Sequence, residues 1–428
     1  MRKIKIGILG GTRGLDSLFR VFLNHPLVEV SAICENFAPL GEKIQSETRL
    51  LGLATRVFSS FDEMLKCGID AVIIANYANA HAPYAIKALN HGIHVFSESI
   101  PMQTMQEAVE LCEAVERSGK IYAYGENYCY LPQILRIRQM FDCGDFGDLM
   151  YAEGNFINDC SHKWHLLTRG DRDHWRNHVP STFYCTHSVG PMLFCTGRRP
   201  VSVVGMETQR MPYMAEVGAR SGSAAVEIMQ LDNGAIAKSM NGNYRRMYSA
   251  EYRLIAENGT IETDPYDFGK IHLYTPKATG NEAYEERVYC KPYVFEPFLI
   301  HSVKPLTELH DFEIADVYLL NTFIQAILDN QEAKKYMIDV YQALDMAMVG
   351  TLAYRSILNK SDSVLVPNMR NINERDNWRH DNRSTDTHVS SGPDLIPSCK
   401  SGFVDVPDEV YRLVNKRFAD VPISSGGH

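Results

Sequence analysis

The segment IKIGILGGTRG, residues 4–14, constrains the fold of this chain more than any other segment. A short apolar run is interrupted by Gly7, Gly10, Gly11 and Gly14 and then continues as LDSLFRVFL. This pattern predicts a buried strand that turns sharply into a helix. Because glycines let the N–H groups at a helix N-terminus approach an anion, the pyrophosphate of a dinucleotide is the implied ligand. The strict G-x-G-x-x-G spacing is absent, so a structural turn is the alternative.

A second strand and an acidic residue support the dinucleotide interpretation. Residues 28–33 predict a buried strand, and Glu35 lies just beyond its end. A carboxylate at this position accepts hydrogen bonds from a ribose diol and repels a 2′-phosphate. NAD is therefore favoured over NADP. The alternative is that Glu35 is a surface carboxylate without a ligand.

Strand and helix patterns alternate through the first part of the chain. The hydrophobic pattern predicts a strand over residues 71–75, a helix over residues 83–90 and another strand over residues 94–97. This alternation is typical of βαβ units in a parallel sheet. We therefore predict an α/β protein in which residues 1–125 form a Rossmann domain with a doubly wound parallel sheet.

Beyond Leu149 the pattern changes to consecutive strands. We predict an α+β domain over residues 126–367 with an open, mostly antiparallel sheet. Residues 368–428 are expected to form a polar arm that ends in a short helix near residues 404–418. The strand candidates are residues 150–157, 200–206, 224–231, 235–241, 252–256 and 259–262, and the helix candidates are residues 314–328 and 340–358.

Composition and charge exclude several classes of partner. The chain has 428 residues and a formal net charge of −9, with 45% hydrophobic and 22% charged residues. An acidic balance argues against a nucleic-acid or membrane-surface partner. No secretory leader opens the chain, and no apolar run has the length of a membrane span. We expect a cytoplasmic protein whose ten cysteines are free thiols.

The order and spacing of these motifs resemble the Gfo/Idh/MocA family of NAD(P)-dependent oxidoreductases, most of which act on sugars and cyclitols. The resemblance covers residues 3–367. It rests on the glycine turn, Glu35, the loop at residues 76–81, HVFSE ending at Glu98, GENYCY at residues 125–130 and FGDL at residues 146–149.

The resemblance implies NAD as cofactor and a small sugar or glycoside as substrate. In the family, the open sheet carries substrate on one face and a subunit partner on the other, which implies a homodimer or homotetramer. The cofactor-binding candidates of the first domain are Gly10, Gly11, Thr12, Arg13, Glu35, Asn76, His81, Glu98 and Asn127.

Two segments of the second domain, residues 158–178 and 181–194, carry the candidate chemistry. His187 matches the family's substrate-side histidine, which can take a proton from a sugar hydroxyl while hydride leaves the same carbon. Tyr184, three residues earlier, could donate to a sugar oxygen. The alternatives are a hydrogen-bonded core histidine and a tyrosine that only packs in the core.

One family feature is missing. The fifth strand of the family usually ends in Glu-Lys-Pro, but here the segment is Glu98-Ser99-Ile100-Pro101. The family lysine helps to position or deprotonate the reacting hydroxyl, and a cation lowers the pKa of such a group. His187, Tyr184 or a metal-bound water would have to supply this effect.

The second domain is similar to the NAD-dependent α-N-acetylgalactosaminidase branch, which also lacks the lysine. YCTHSVGP at residues 184–191 resembles its Tyr-x-Thr-His-Gly-x-Gly-Pro segment, and HWRN at residues 174–177 resembles its Asn-Trp-Arg. Trp175 and Arg176 are accordingly further cofactor-binding candidates. These enzymes cleave glycosides without net redox change: C3 oxidation acidifies the C2 proton, the glycosidic bond is eliminated, water adds and hydride returns.

The match to that branch is incomplete. Its Tyr-Ile-His run is replaced by Phe156-Ile157-Asn158, which removes two titratable groups. Either the substrate differs, or acid and base come from residues such as His174 and Asp159, which we include among the catalytic candidates with His187 and Tyr184. His162 and His165 are further possibilities for these roles.

Histidine spacing leaves a metal site open. His162-x-x-His165 and His174-x-x-x-His178 could each place two imidazoles on one helical face, although neither pair is a specific motif. The alternative is a sugar pocket lined by histidine, arginine and tryptophan. Trp164 and Trp175 could stack on a sugar or pack in the core.

Three classes of function remain from the sequence. We predict an NAD-dependent oxidoreductase that transfers hydride at a sugar secondary hydroxyl, most naturally C3. A redox-neutral NAD-dependent glycosidase is the second candidate, and a non-catalytic, ligand-sensing relative is the third. The presence of candidates at Glu35, Asn127 and His187 argues against the third class.

Overall fold

A computed structural model of the chain describes residues 2–14, 18–23, 25–265, 267, 269–277, 283–291, 300–302 and 304–419. The chain divides into two compact units. The first comprises Met1–Gln103, Glu107–Pro132 and Val294–Leu344, and the second comprises Thr104–Gln106, Gln133–Tyr293 and Asp345–His428. Part of the helix predicted directly after the glycine turn, residues 15–17, lies outside the described residues.

The secondary-structure elements follow the predicted order. The strands are β1 (Ile4–Leu9), β2 (Val28–Cys34), β3 (Arg56–Phe58), β4 (Ala71–Ile74), β5 (His94–Glu98), β6 (Tyr122–Gly125), β7 (Leu149–Ile157), β8 (Pro200–Glu207), β9 (Ala224–Leu231), β10 (Ile236–Gly242), β11 (Ser249–Ala256), β12 (Gly259–Thr263), β13 (Lys270–Pro276), β14 (Tyr284–Cys290) and β15 (Val364–Leu365).

The α-helices are α1 (Phe19–Phe22), α2 (Ala38–Leu50), α3 (Phe61–Leu65), α4 (His81–Asn90), α5 (Met105–Ser118), α6 (Pro132–Asp142), α7 (Trp164–Thr168), α8 (Thr186–Thr196), α9 (Pro212–Ala215), α10 (Asp311–Ile327), α11 (Gln331–Tyr336), α12 (Val340–Leu358), α13 (Ile372–Asp376) and α14 (Asp408–Ala419). The structure adds strands β3, β6, β13, β14 and β15 to the sequence-based expectation, together with the helices α2, α5, α6 and α8 and several short helices. Among the described residues, none of the helices is sufficiently long and apolar to span a membrane.

The first unit is built on a six-stranded parallel sheet of order β3-β2-β1-β4-β5-β6. Its central strands are apolar almost throughout and almost fully buried, because a parallel sheet with helices on both faces leaves no strand face in water. This strand order is that of the dinucleotide-binding Rossmann fold. The predicted doubly wound sheet is therefore confirmed.

The second unit contains a nine-stranded sheet of order β14-β13-β12-β11-β7-β10-β9-β8-β15. Among the described strand pairs, only β7 and β10 run parallel, so the predicted open and mostly antiparallel sheet is confirmed. Helix α8 packs on one face, over β7, β10 and β11. A Cβ atom on Gly154 of β7 would lie 2.0 Å from the Ser188 carbonyl oxygen, so glycine is required for this close approach.

The C-terminal segment is more ordered than its composition suggests. Asp381 forms an ion pair with Arg355, and both side chains are about nine-tenths buried. Val414 of α14 completes an apolar cluster with Trp164, Met214, Val217 and Ala219. Helix α14 thereby packs on the segment that carries α7, within the second unit.

We predict that Val414→Asp destabilises the second unit by about 2–4 kcal/mol, because it buries a carboxylate without a partner. Val414 is 1% exposed, whereas the adjacent Leu413 is 51% exposed. Leu413→Asp is the matched control and should change stability by about 0.5 kcal/mol or less. All three tryptophans lie in the second unit, so urea unfolding followed by tryptophan fluorescence measures the effect. Equal effects of the two substitutions would contradict the packing of α14.

Candidate functional site

In the first unit, the glycine turn and Glu35 form a compact cradle at the carboxyl ends of β1 and β2. Gly10 has a φ of +101°, and a Cβ atom there would lie 2.5 Å from the Ala75 carbonyl oxygen. The Gly11 N–H donates to Glu35 Oε2 at 2.8 Å. A Cβ on Gly11 would lie 2.7 Å from the same oxygen, so a larger residue there would displace the Glu35 carboxylate. The adjacent Thr12 is exposed.

The Glu35 carboxylate is held by backbone donors on both oxygens. Oε1 accepts from the Phe37 N–H at 2.8 Å, while Oε2 accepts from Gly11. Each carboxylate oxygen can accept a further hydrogen bond, so these contacts orient the group and leave capacity for a ribose hydroxyl. The residues present therefore fit a dinucleotide.

Asn76 and His81 lie at the end of β4. The imidazole of His81 is buried, with Nδ1 3.0 Å from the Ile100 carbonyl oxygen and Nε2 3.1 Å from the Asn76 carbonyl oxygen. Burial lowers the pKa of His81, against the hydrogen bonds with these backbone carbonyl groups, which raise it. The ring thus links the segments that follow β4 and β5. The Asn76 Oδ1 atom is buried and has no hydrogen-bond partner among the described residues, so it can accept from a ligand donor.

Arg13 and Glu98, both predicted to bind cofactor, form an ion pair with each other. Arg13 Nε donates to Glu98 Oε1 at 3.1 Å, and Nη2 donates to Asp316 Oδ1 at 2.9 Å. Burial raises the pKa of Asp316 to about 6, against the opposing charge of Arg13. The sequence analysis missed Asp316, because it lies on α10, far along the chain. Asn127 begins a short 3-10 helix, Asn127–Tyr130.

In the second unit, His187 and Tyr184 lie in an aromatic cluster at the start of α8. The His187 ring centroid is 4.7 Å from that of Phe156 and 5.9 Å from that of Tyr184. The Tyr252 hydroxyl donates to the His187 carbonyl oxygen at 2.5 Å, which holds the first turn of the helix against β11. His187 is half-buried and therefore accessible to a ligand.

Residues 174–176 join this cluster. The Arg176 guanidinium carbon lies 4.6 Å from the Trp175 ring centroid and 5.4 Å from that of Tyr184. His174 Nδ1 accepts from the Arg176 N–H at 3.3 Å. Burial and the Arg176 charge lower the pKa of His174 to about 4, so it is a weak base near pH 7. The structure thus brings together the two segments that the sequence singled out.

Asp159 lies in a separate turn, where its carboxylate accepts the Ser161 N–H at 2.9 Å. Among the described residues, Asp159 makes no hydrogen bond with Tyr184 or His187, so its catalytic role stays a prediction. Trp164 packs in the apolar cluster beneath α14, and its Nε1 donates to Asn177 Oδ1 at 2.9 Å. Within the described part of the chain, no three histidine, cysteine, aspartate or glutamate side chains form a group that could hold a metal ion.

A buried carboxyl group near α8 was not predicted. Glu227 on β9 accepts hydrogen bonds on both oxygens from Asn241 Nδ2, at 2.8 and 3.0 Å. Burial raises the pKa of Glu227 to about 7. Ser239, paired with Glu227 across the sheet, lies 2.7 Å from Ser188, the neighbour of His187. Polar residues at inward-facing strand positions were the available sequence signal.

The sequence of the Rossmann domain matches a known protein family. Residues 4–126 match the GFO_IDH_MocA family model, described as oxidoreductase family, NAD-binding Rossmann fold. This match confirms NAD as the cofactor type of the family.

Curated relatives extend the similarity into the second unit. A glycosyl hydrolase family 109 protein of Streptomyces filamentosus is 26% identical over 309 residues, which cover 68% of this chain and 60% of the relative. An α-N-acetylgalactosaminidase of Shewanella oneidensis is 27% identical over 204 residues, covering 45% of this chain and 44% of that protein. The chain thus spans less than two thirds of the length of these relatives.

Solved structures share the fold. Levoglucosan dehydrogenase in complex with NADH and levoglucosan aligns with a TM-score of 0.66 at 16% identity, covering 86% of this chain and all of that one. Myo-inositol 2-dehydrogenase from Lactobacillus plantarum aligns with a TM-score of 0.63 at 16% identity, covering 85% of this chain and 100% of that one. Residues 4–126 therefore match the NAD-binding Rossmann domain of the oxidoreductase family, and the solved structures show that the chain shares the fold of these dehydrogenases.

Proposed function

We propose that this protein is an NAD-dependent oxidoreductase that acts on a carbohydrate. The hydride is transferred from C3, the carbon that carries the reacting secondary hydroxyl. The observation that carries the proposal is the cluster of His187, Tyr184 and Trp175, which combines a proton-exchanging side chain with aromatic surfaces suited to a sugar. The glycine cradle, Glu35 and Asn76 would hold the NAD, which supplies a hydride acceptor when bound.

The roles of the side chains follow from their surroundings. His187 takes the proton of the reacting hydroxyl, since it is accessible and its helix turn is held in place by Tyr252. His174 is a poorer candidate, because its low pKa and buried position disfavour proton uptake. Tyr184 donates a hydrogen bond to a sugar oxygen, and Trp175 supports the Tyr184 ring. Trp175 and Arg176 remain candidates for contacts with the cofactor.

Glycoside cleavage without net redox change is the second candidate. The similarity to glycosyl hydrolase family 109 proteins and the segment at residues 184–191 favour it. In that reaction His187 would again serve the initial C3 oxidation, and a second group would remove the C2 proton. Phe156 and Asn158 cannot act as that group, since neither side chain exchanges protons near neutral pH.

We also propose that the protein assembles as a homodimer or homotetramer through the sheet face opposite α8. Met206, Ile228 and Ile236 lie on that face, and each is about half exposed. Exposed apolar side chains grouped on one face are typical of an interaction surface.

A cytoplasmic location is supported by the ten free cysteines, which suit a reducing compartment.

Glu35→Ala should weaken NAD binding about tenfold and reduce the preference for NAD over NADP, because it removes both a hydrogen-bond acceptor and a charge that repels phosphate. Calorimetric titration with both cofactors measures the two effects. Glu29→Ala removes an exposed carboxylate from the same strand and is the matched control. Tighter binding of NADP than NAD by the unmodified protein would overturn the role of Glu35.

His187→Asn should lower turnover about a hundredfold or more with little change in NAD affinity, because it removes the general base. His388→Asn, at a histidine whose side chain is 72% exposed, is the control and should leave turnover unchanged. Steady-state kinetics and NAD titration on the same preparations separate the two quantities. Near-native turnover of the His187 variant would assign that residue a structural role.

The two candidate functions differ in the fate of the cofactor. We expect a dehydrogenase to produce one NADH per oxidised sugar, whereas a redox-neutral glycosidase regenerates its NAD in place. Free sugars and aryl glycosides are incubated with the protein and NAD, and both NADH absorbance and aglycone release are recorded. Many aglycones released per NAD, with solvent deuterium at C2 of the sugar, would replace the first proposal by the second.

A further inference from the structure

Arg176 is a half-buried cation that has no anionic partner among the residues that the structure describes. Its guanidinium stacks on Trp175 and Tyr184, and among the described residues no carboxylate lies within ion-pair distance of it. By contrast, the buried guanidinium of Arg355 is paired with Asp381. Stacking on aromatic rings does not use the five N–H donors of the guanidinium. Arg176 therefore has donors available to a ligand beside His187.

Two further cations, Lys163 and Arg245, lie near Cys160 and Tyr213 respectively. Lys163 and Arg176 both lower the pKa of the Cys160 thiol, against burial, which raises it, so both charges are near this residue. The Cys160 N–H and the Tyr213 hydroxyl both donate to Asn243, and the Arg245 guanidinium carbon lies 4.5 Å from the Tyr213 ring centroid.

Positive charge exceeds negative charge around Cys160 and Tyr213. Asp159 is the carboxylate whose charge acts on both Cys160 and Tyr213, opposed there by Lys163, Arg176 and Arg245. Within the described ranges, none of these three cations forms an ion pair with it. A local excess of cations in a chain of net charge −9 is typical of a site that attracts an anion.

We propose that Arg176, supported by Lys163 and Arg245, binds an anionic substituent of the substrate, so that the substrate class is an acidic sugar or glycoside. A carboxylate, sulfate or phosphate group fits the planar donors of a guanidinium, which can bind two oxygens at once. This inference rests on the proposed function, because it takes a carbohydrate as the ligand of the aromatic cluster.

Binding measurements test the inference without requiring turnover. The NAD-loaded protein is titrated calorimetrically with methyl glucuronide and methyl galacturonide, with the corresponding 6-sulfates and 6-phosphates, and with the neutral methyl glycosides. We expect at least one acidic sugar to bind about tenfold or more tighter than its neutral parent, as expected for a charge-assisted pair. The preference should shrink with added salt.

Substitutions assign the preference to its residues. Arg176→Gln should remove most of the acidic preference, Arg176→Lys should retain part of it, and Lys163→Gln should reduce it. Arg49→Gln is the control, since it removes one positive charge from an exposed position on α2. Circular dichroism and NAD titration of each variant establish that it is folded.

Several results would overturn the inference: equal or weaker binding of every acidic sugar, an acidic preference that survives in both Arg176→Gln and Lys163→Gln, or an Arg176→Gln effect confined to NAD affinity. The last result would assign the anion to the cofactor phosphates. An acidic sugar that binds as expected without yielding NADH or aglycone would contradict the proposed reaction, while the assignment of the bound anion to Arg176 would stand.

Discussion

The close approach of α8 to the nine-stranded sheet is the constraint on which the candidate substrate site depends. At Gly154 the sheet and the Ser188 carbonyl come too near for any side chain. The Ser188 hydroxyl reaches Ser239 on the sheet, and Tyr252 reaches the His187 carbonyl. Because these contacts join helix to sheet at its first turn, the position of His187 is set by the core and not by a loop.

Some of the described charged groups are fully paired within the protein, whereas others retain hydrogen-bonding capacity for a ligand. In the first unit, Glu35 is oriented by two backbone donors, and Arg13 is occupied by two carboxylates. In the second unit, the Arg176 guanidinium contacts aromatic faces instead of carboxylates. Groups that are held in place but retain hydrogen-bonding capacity are those best suited to bind a ligand, since they lose little conformational freedom on binding.

The chain lacks the lysine of the family's Glu-Lys-Pro segment, and Arg13 is a cation that contacts Glu98 of that segment. The sequence shows Ser99 after Glu98, with no cation at that position. Arg13 reaches Glu98 from the glycine turn, but Asp316 shares the same guanidinium, so two carboxylates surround one positive charge. The Arg13 guanidinium is therefore occupied by carboxylates, unlike a free lysine ammonium.

Local patterns were sufficient to predict the parallel sheet, most strands of the second sheet and both long helices, α10 and α12. Hydrophobic periodicity and turn residues act over a few positions, so these elements can be predicted from the chain alone. Sequence motifs also led to the predicted roles of Glu35, Tyr184 and His187. The tertiary structure alone decided that Asp316 pairs with Arg13, that Glu227 is buried near α8, and that Val414 supports Trp164. These contacts join residues far apart in the chain, where partner choice depends on the packing of whole elements and leaves no local pattern.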